Sequence, residues 1–161
     1  MSLEIKEVNV EQNGTVPPKS KIARLYLWAC ERLYDELAWW YDAVSWVVSA
    51  GQWRRWQMGV WREVRGPRVL EVGCGTGAMI AAGAQRELKM VGVDLSPRML
   101  AVAAWRVALR HSECHLLLGD GGALPLQDCA FDTVMATFPA GYILAPTTLI
   151  EMRRLLGERG R

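Results

Sequence analysis

The chain lacks the features that would commit it to a charged or a cross-linked partner. Among its 161 residues, 19 Lys and Arg stand against 17 Asp and Glu, a net charge of +2. That is too small for the overall field that gathers nucleic acid, and none is expected as a partner. The four cysteines, Cys30, Cys74, Cys114 and Cys129, are scattered without a C-x-x-C pair. This argues against a disulfide framework and a cysteine zinc site, and it favours reduced thiols in a cytoplasmic protein. The only histidines are His111 and His115; His115 reads as part of a strand and no third ligand is evident, so no metal is expected. Long apolar runs are missing too: the window from Ala43 to Trp53 is uncharged but only eleven residues long, against about 20 for a membrane span. Residues 1–20 carry acids where a signal peptide carries bases and hold no apolar stretch, so they read as a flexible polar tail.

Tryptophan is abundant. Seven of the eight lie between Trp28 and Trp61, in a stretch with no proline from Lys21 to Arg65. Trp39, Trp46 and Trp53 recur every seven residues, which predicts two or three helices, broken near Gly51 and closed by Gly66 and Pro67. The expected role of this stripe is to pack an aromatic-rich helical cap, residues 21–66, against a sheet. The alternative is an apolar entrance or interfacial face, with Arg54, Arg55, Arg62, Arg65 and Arg68 just beyond it for peripheral contact with an anionic membrane surface.

After Pro67 the rhythm becomes strand, helix, strand. "RVLEV", "KMVGVD", "CHLLLG" and "FDTVMATF" read as strands. Residues 76–87, 97–110 and 146–156 read as helices, the second with Ser96 as cap and Pro97 in its first turn. Alternation of this kind predicts an α/β fold with a parallel sheet over residues 67–161. The length suits about one domain.

The candidate site begins at "EVGCGTG". Gly73, Gly75 and Gly77 fall where a strand hands over to a helix. Glycine there removes the Cβ atoms that keep a ligand off the backbone, and the helix start offers free N–H donors. A nucleotide-like ligand is expected across the turn, the alternative being a tight turn that serves packing alone. Gly73, Gly75 and Ala78, with Asp94 21 residues after Gly73, also satisfy the dinucleotide fingerprint, so an NAD(P)-dependent oxidoreductase stays open at this point. Glu71 beside the loop would repel a pyrophosphate and suits a cationic group. Asp120, at the carboxyl end of the third strand, lies on the same sheet edge and can accept from an adenine amino group. Asp94 could instead be a plain strand-end acid, and Asp120 a turn residue for the Gly121-Gly122 bend.

Together "VLEVGCGTG", "VGVDLS" and "GDGGALPLQDCAFDTV" resemble, in order, the first three cofactor motifs of class I S-adenosylmethionine-dependent methyltransferases. The resemblance implies a Rossmann-like sheet in the order 3-2-1-4 and S-adenosylmethionine as methyl donor. It implies that Glu71, Gly73, Cys74, Gly75, Thr76 and Gly77 line the methionine side, that Asp94 binds the ribose with Leu95 beside it, and that Asp120 and Gly121 read the adenine. "YDAVSWVVSAGQWRRW" is similar to the stretch preceding the cofactor domain in the ubiquinone and menaquinone C-methyltransferase branch, at Tyr41, Asp42, Ser49, Gly51, Arg54 and Trp56. That likeness implies a small apolar, quinone- or lipid-like acceptor and makes Tyr41 a candidate lid over the ligand.

Acceptor contacts are expected from loops at the carboxyl ends of the strands, which points to "TFPAGYI" and to Phe138 and Tyr142. No residue is assigned as catalytic base. Relative to the seven-stranded family fold the chain ends before a fifth strand. The expectation is a truncated or partner-completed protein with strand four as an exposed edge, covered by a second copy in an oligomer. A non-catalytic, cofactor-binding remnant is the corresponding alternative.

Overall fold

The structure is a computed structural model that describes residues 41–109, 114–137 and 141–161. Two short helices come first, α1 (Tyr41–Val48) and α2 (Trp53–Met58), followed by a 3-10 turn at Gly59–Arg62. Gly51, with φ +76, lies between them, and its N–H donates to Trp46 O at 2.8 Å. That left-handed bend ends α1 where the sequence placed a break.

The α/β unit then runs β1 (Arg68–Val72), α3 (Ala78–Ala84), β2 (Lys89–Asp94), α4 (Pro97–Ala108), β3 (Cys114–Leu118), β4 (Thr133–Met135) and α5 (Pro146–Leu155). The four strands form one sheet in the order β3-β2-β1-β4, and every pairing is parallel. This is the expected Rossmann-like order. Helix α4 is capped as its sequence predicts: Ser96 Oγ accepts from Met99 N–H at 3.3 Å and Pro97 occupies the first turn.

Both faces of the sheet are buried, as parallel strands require. Leu70, Val72 and Val93 pack with Leu124, Phe131 and Leu155 on one face. Val69, Met79, Ile80, Met90, Val107 and Met135 pack on the other. Because side chains alternate along a strand, Glu71 shares its face with Val69.

Three expectations need correction. Helix α3 is shorter than residues 76–87, because Gly73, Gly75 and Gly77 all have positive φ, which keeps the loop out of helix until Ala78, and Glu87 at φ +61 lies past its end. Trp46 of the tryptophan stripe is 62% exposed and does not pack against the sheet, while Trp53 is partly buried and Trp39 lies outside the described residues. Among the described residues the tryptophan ring that reaches the core is that of Trp61, beside Met58 and Val60, with the Arg86 guanidinium 4.7 Å from its centre.

The third correction concerns the edge of β4. Phe131 N–H donates to Leu155 O and Gly157 N–H to Phe131 O, which forms a parallel bridge between Phe131 and Leu156. Further along, Arg161 N–H donates to Asp132 O at 3.0 Å and Val134 N–H to Arg161 O at 2.9 Å. The outer edge of this strand is therefore paired through Val134, and the segment after α5 does the covering.

Candidate cofactor site

The carboxyl ends of β1, β2 and β3 bring together the three acids that the sequence marks. The glycine loop is tied to β2 by its backbone: Gly73 and Cys74 N–H groups donate to Val93 O at 2.8 and 2.9 Å. Asp94 completes the tie. Its Oδ2 accepts from Gly75 N–H at 2.7 Å and its Oδ1 from Ser96 N–H at 2.9 Å. Burial raises the Asp94 pKa, opposed by these backbone donors. Gly119 N–H donates to Asp94 O at 3.1 Å, so the residues leading to Asp120 run alongside. Asp120 Oδ1 accepts from Gly122 N–H at 2.9 Å and caps the bend that buries Gly121.

The glycines of the loop have separate reasons to be glycine. A Cβ on Gly77, at φ +71, would lie 2.7 Å from the Ala103 Cβ on α4, so helix packing excludes a side chain there. At Gly75, with φ +51, a Cβ would meet nothing within 4 Å. The backbone at Gly75 thus faces open space, the cradle a close-lying ligand needs. Next to it, Thr76 is buried and its Oγ1 accepts from Arg106 Nη1 at 2.9 Å. Leu95 is half exposed and offers an apolar surface beside Asp94.

Glu71 is the least expected feature. Its side chain is 1% exposed, and burial pushes its pKa up to about 8, with Asp94 raising it further and a hydrogen bond from Thr137 lowering it. Thr137 Oγ1 donates to Oε1 at 2.6 Å. Oε2 is buried with no partner among the described residues. An acceptor orphaned in this way costs free energy until a donor reaches it. The Cys74 thiol lies in the same environment, and burial together with Glu71 and Asp94 raises its pKa, so it stays neutral. Asp94 beside the loop, and Glu71 once a bound cation favours its ionised form, suit a cation better than an anion. Open space at Gly75 and the unsatisfied Glu71 oxygen together fit a cofactor that carries positive charge.

The loop after Asp120 is held from the other side by α5. Arg154 Nη2 donates to Glu151 Oε1 at 2.7 Å and to Leu124 O at 3.1 Å, and Nη1 donates to Leu126 O at 2.8 Å and to Asp128. Glu151 Oε1 also accepts from Leu124 N–H at 2.7 Å. Neither this clamp nor the role of Thr137 is visible in local sequence, because both depend on partners more than 25 residues away. Tyr41 starts α1 and Tyr142 lies in a 3-10 turn at Gly141–Leu144; their side chains, and Phe138 entirely, fall outside the described residues. Among the described residues no cluster of His, Cys, Asp and Glu could hold a metal ion, and no helix is long and apolar enough to cross a membrane.

Comparison with known proteins agrees with this geometry. A family model described as a methyltransferase domain matches residues 69–160. The chain is 34% identical over 157 residues to a demethylmenaquinone methyltransferase of Symbiobacterium thermophilum, covering 92% of this chain and 61% of that protein. It is 33% identical over 135 residues to the chloroplastic 2-phytyl-1,4-beta-naphthoquinone methyltransferase of Arabidopsis thaliana, covering 75% of this chain and 52% of that one. It thus spans little more than half the length of these curated relatives. Among solved structures, an S-adenosylmethionine-dependent methyltransferase from Thiobacillus denitrificans in complex with S-adenosyl-L-homocysteine aligns with a TM-score of 0.51 at 24% identity, over 59% of this chain and 40% of that one, a likeness of fold. Since the family model covers the glycine loop, all three acids and the clamp from α5, the chain belongs to the methyltransferase domain family.

Proposed function

We propose that this protein binds S-adenosylmethionine across the glycine loop and transfers its methyl group to a small apolar acceptor of the quinone class. The observation that carries the donor reading is the buried Glu71 carboxyl, one oxygen of which has no partner among the described residues, together with the open backbone at Gly75. A pyrophosphate there would lie beside Asp94 and keep Glu71 protonated, whereas a sulfonium or ammonium group favours the ionised carboxylate of Glu71 and is attracted to it. The acceptor reading is supported by the naphthoquinone and menaquinone relatives.

When bound, the cofactor supplies a methyl group already activated by the sulfonium charge. The residues of the chain then have to bind, orient and exclude water. Glu71 holds the methionine side over the open backbone of Gly75, the N–H groups of Gly73, Cys74, Gly75 and Gly77 being spent on Val93, Asp94 and Cys74; Asp94 accepts from ribose hydroxyls while keeping Gly75 in place, and Asp120 and Gly121 meet the adenine. Phe138, Tyr142 and Tyr41 are the proposed acceptor and lid residues. Trp46, Val47, Val48 and Trp56 are exposed, with Arg55 and Arg62 also exposed nearby in the chain. This composition suits brief contact of a cytoplasmic protein with an anionic lipid surface that supplies an apolar acceptor.

Calorimetry with S-adenosylhomocysteine and with NAD tests the donor, and binding of NAD alone would overturn it. Incubation with methyl-labelled donor and a panel of demethylated naphthoquinones, phenols and lipids tests the acceptor. Label confined to non-quinone acceptors would reject the quinone class.

A further inference from the structure

Thr137 lies two residues beyond β4, at the start of the segment expected to face the acceptor. Its hydroxyl nevertheless turns back across the sheet edge to Glu71 Oε1 at 2.6 Å. Among the described residues this is the only hydrogen bond to that carboxyl, and Oε2 has none. The geometry points to Thr137 as a positioning residue: it holds Glu71 through one oxygen, leaves the other for the cation of the donor, and so sets the pH range in which the donor binds. This rests on the donor reading above.

The physical basis is competition between charge states. A hydroxyl donor binds a carboxylate more strongly than a carboxylic acid, so Thr137 favours the ionised form. Burial, the larger effect, favours the neutral form and places the pKa near 8 in the empty site. The titratable groups bearing on Glu71 among the described residues are Asp94 from β2, which raises it, and the Cys74 thiol in the loop, held neutral. Thr137 is the contribution from the β4 side, and it is uncharged. A cationic ligand needs the ionised form, so binding expels the proton. Affinity should climb with pH and level off above about 8, a gain of about tenfold from about pH 7 to about pH 9.

The test measures the Kd of S-adenosylmethionine from about pH 6 to about pH 9 for the full chain and for Thr137→Val, Thr137→Ser and Glu71→Gln. The α-amino group of the ligand titrates in the same range, and Glu71→Gln supplies that background. Thr137→Val should move the rise to higher pH, weakening binding about three- to tenfold at about pH 7 with the gap narrowing toward about pH 9. Thr137→Ser, which keeps the hydroxyl, should follow the wild type. A Thr137→Val profile that superimposes on the wild type, or lies below it by one factor at every pH, overturns the inference and leaves the donor reading standing. Should Thr137→Val fail to fold, a wild-type profile identical to that of Glu71→Gln overturns it equally. A wild type that binds no donor at any pH removes both.

Discussion

Replacing Gly77 by alanine separates the structural part of the glycine loop from its binding part. The new Cβ would lie 2.7 Å from the Ala103 Cβ and 3.0 Å from its Cα, and Ala103 is fully buried on α4. Two costs add. Holding an alanine in the left-handed region, where Gly77 has φ +71, costs about 1–2 kcal/mol. Pushing one methyl group into a filled contact costs about 1–3 kcal/mol. Gly77→Ala is therefore expected to lose about 2–5 kcal/mol, which for a chain of this size lowers Tm by about 10 °C. Thermal unfolding followed by circular dichroism reads this directly. The double variant Gly77→Ala with Ala103→Gly should regain the part of the steric share owed to the Ala103 Cβ, but neither the 3.0 Å contact with its Cα nor the backbone share, and it loses about 1 kcal/mol to glycine within a helix. A single variant within about 2 °C of the wild type would refute the close approach of α3 and α4 on which the reasoning rests.

Gly75→Ala should behave in the opposite way: its Cβ meets no atom within 4 Å, so stability falls only by the backbone cost of about 1–2 kcal/mol, while affinity for S-adenosylhomocysteine falls at least tenfold by calorimetry. Unchanged affinity would mean that no ligand lies against that backbone. In the empty protein the raised Glu71 pKa makes stability depend on pH. The carboxyl is neutral in folded and unfolded chains below about pH 4.5, stability declines as pH rises toward about 8 because the unfolded chain releases its proton first, and it is level above that. The slope is at most about 1.4 kcal/mol per pH unit, and urea midpoints should show it in the wild type but not in Glu71→Gln; an identical slope in both would assign it to another group. Asp94→Ala removes the acceptors of Gly75 and Ser96 N–H and should cost about 1–3 kcal/mol of stability as well as weakening donor binding by a similar amount. Hydrogen exchange at the Gly75 amide should accelerate, and protection equal to the wild type would contradict the tie.

Local chemistry made much of this protein legible in its sequence. "RVLEV" reads as a buried strand, Ser96 and Pro97 start a helix by capping and fixed φ, and three alternate glycines mark a strand-to-helix turn. These patterns are short in range, so they survive without knowledge of the rest of the chain, and the three motifs in order were enough to point to the family. Tertiary structure decided what lies across long intervals. It showed that Gly77 answers to Ala103 rather than to open space, that Trp61 and not Trp46 reaches the core, and that residues beyond α5 pair along β4. It also showed that Thr137 meets Glu71 across 66 positions of sequence. A sequence states which side chains exist and what each prefers nearby. Burial and hydrogen bonding depend on which distant groups arrive, and the charge state of Glu71 is set by that arrival.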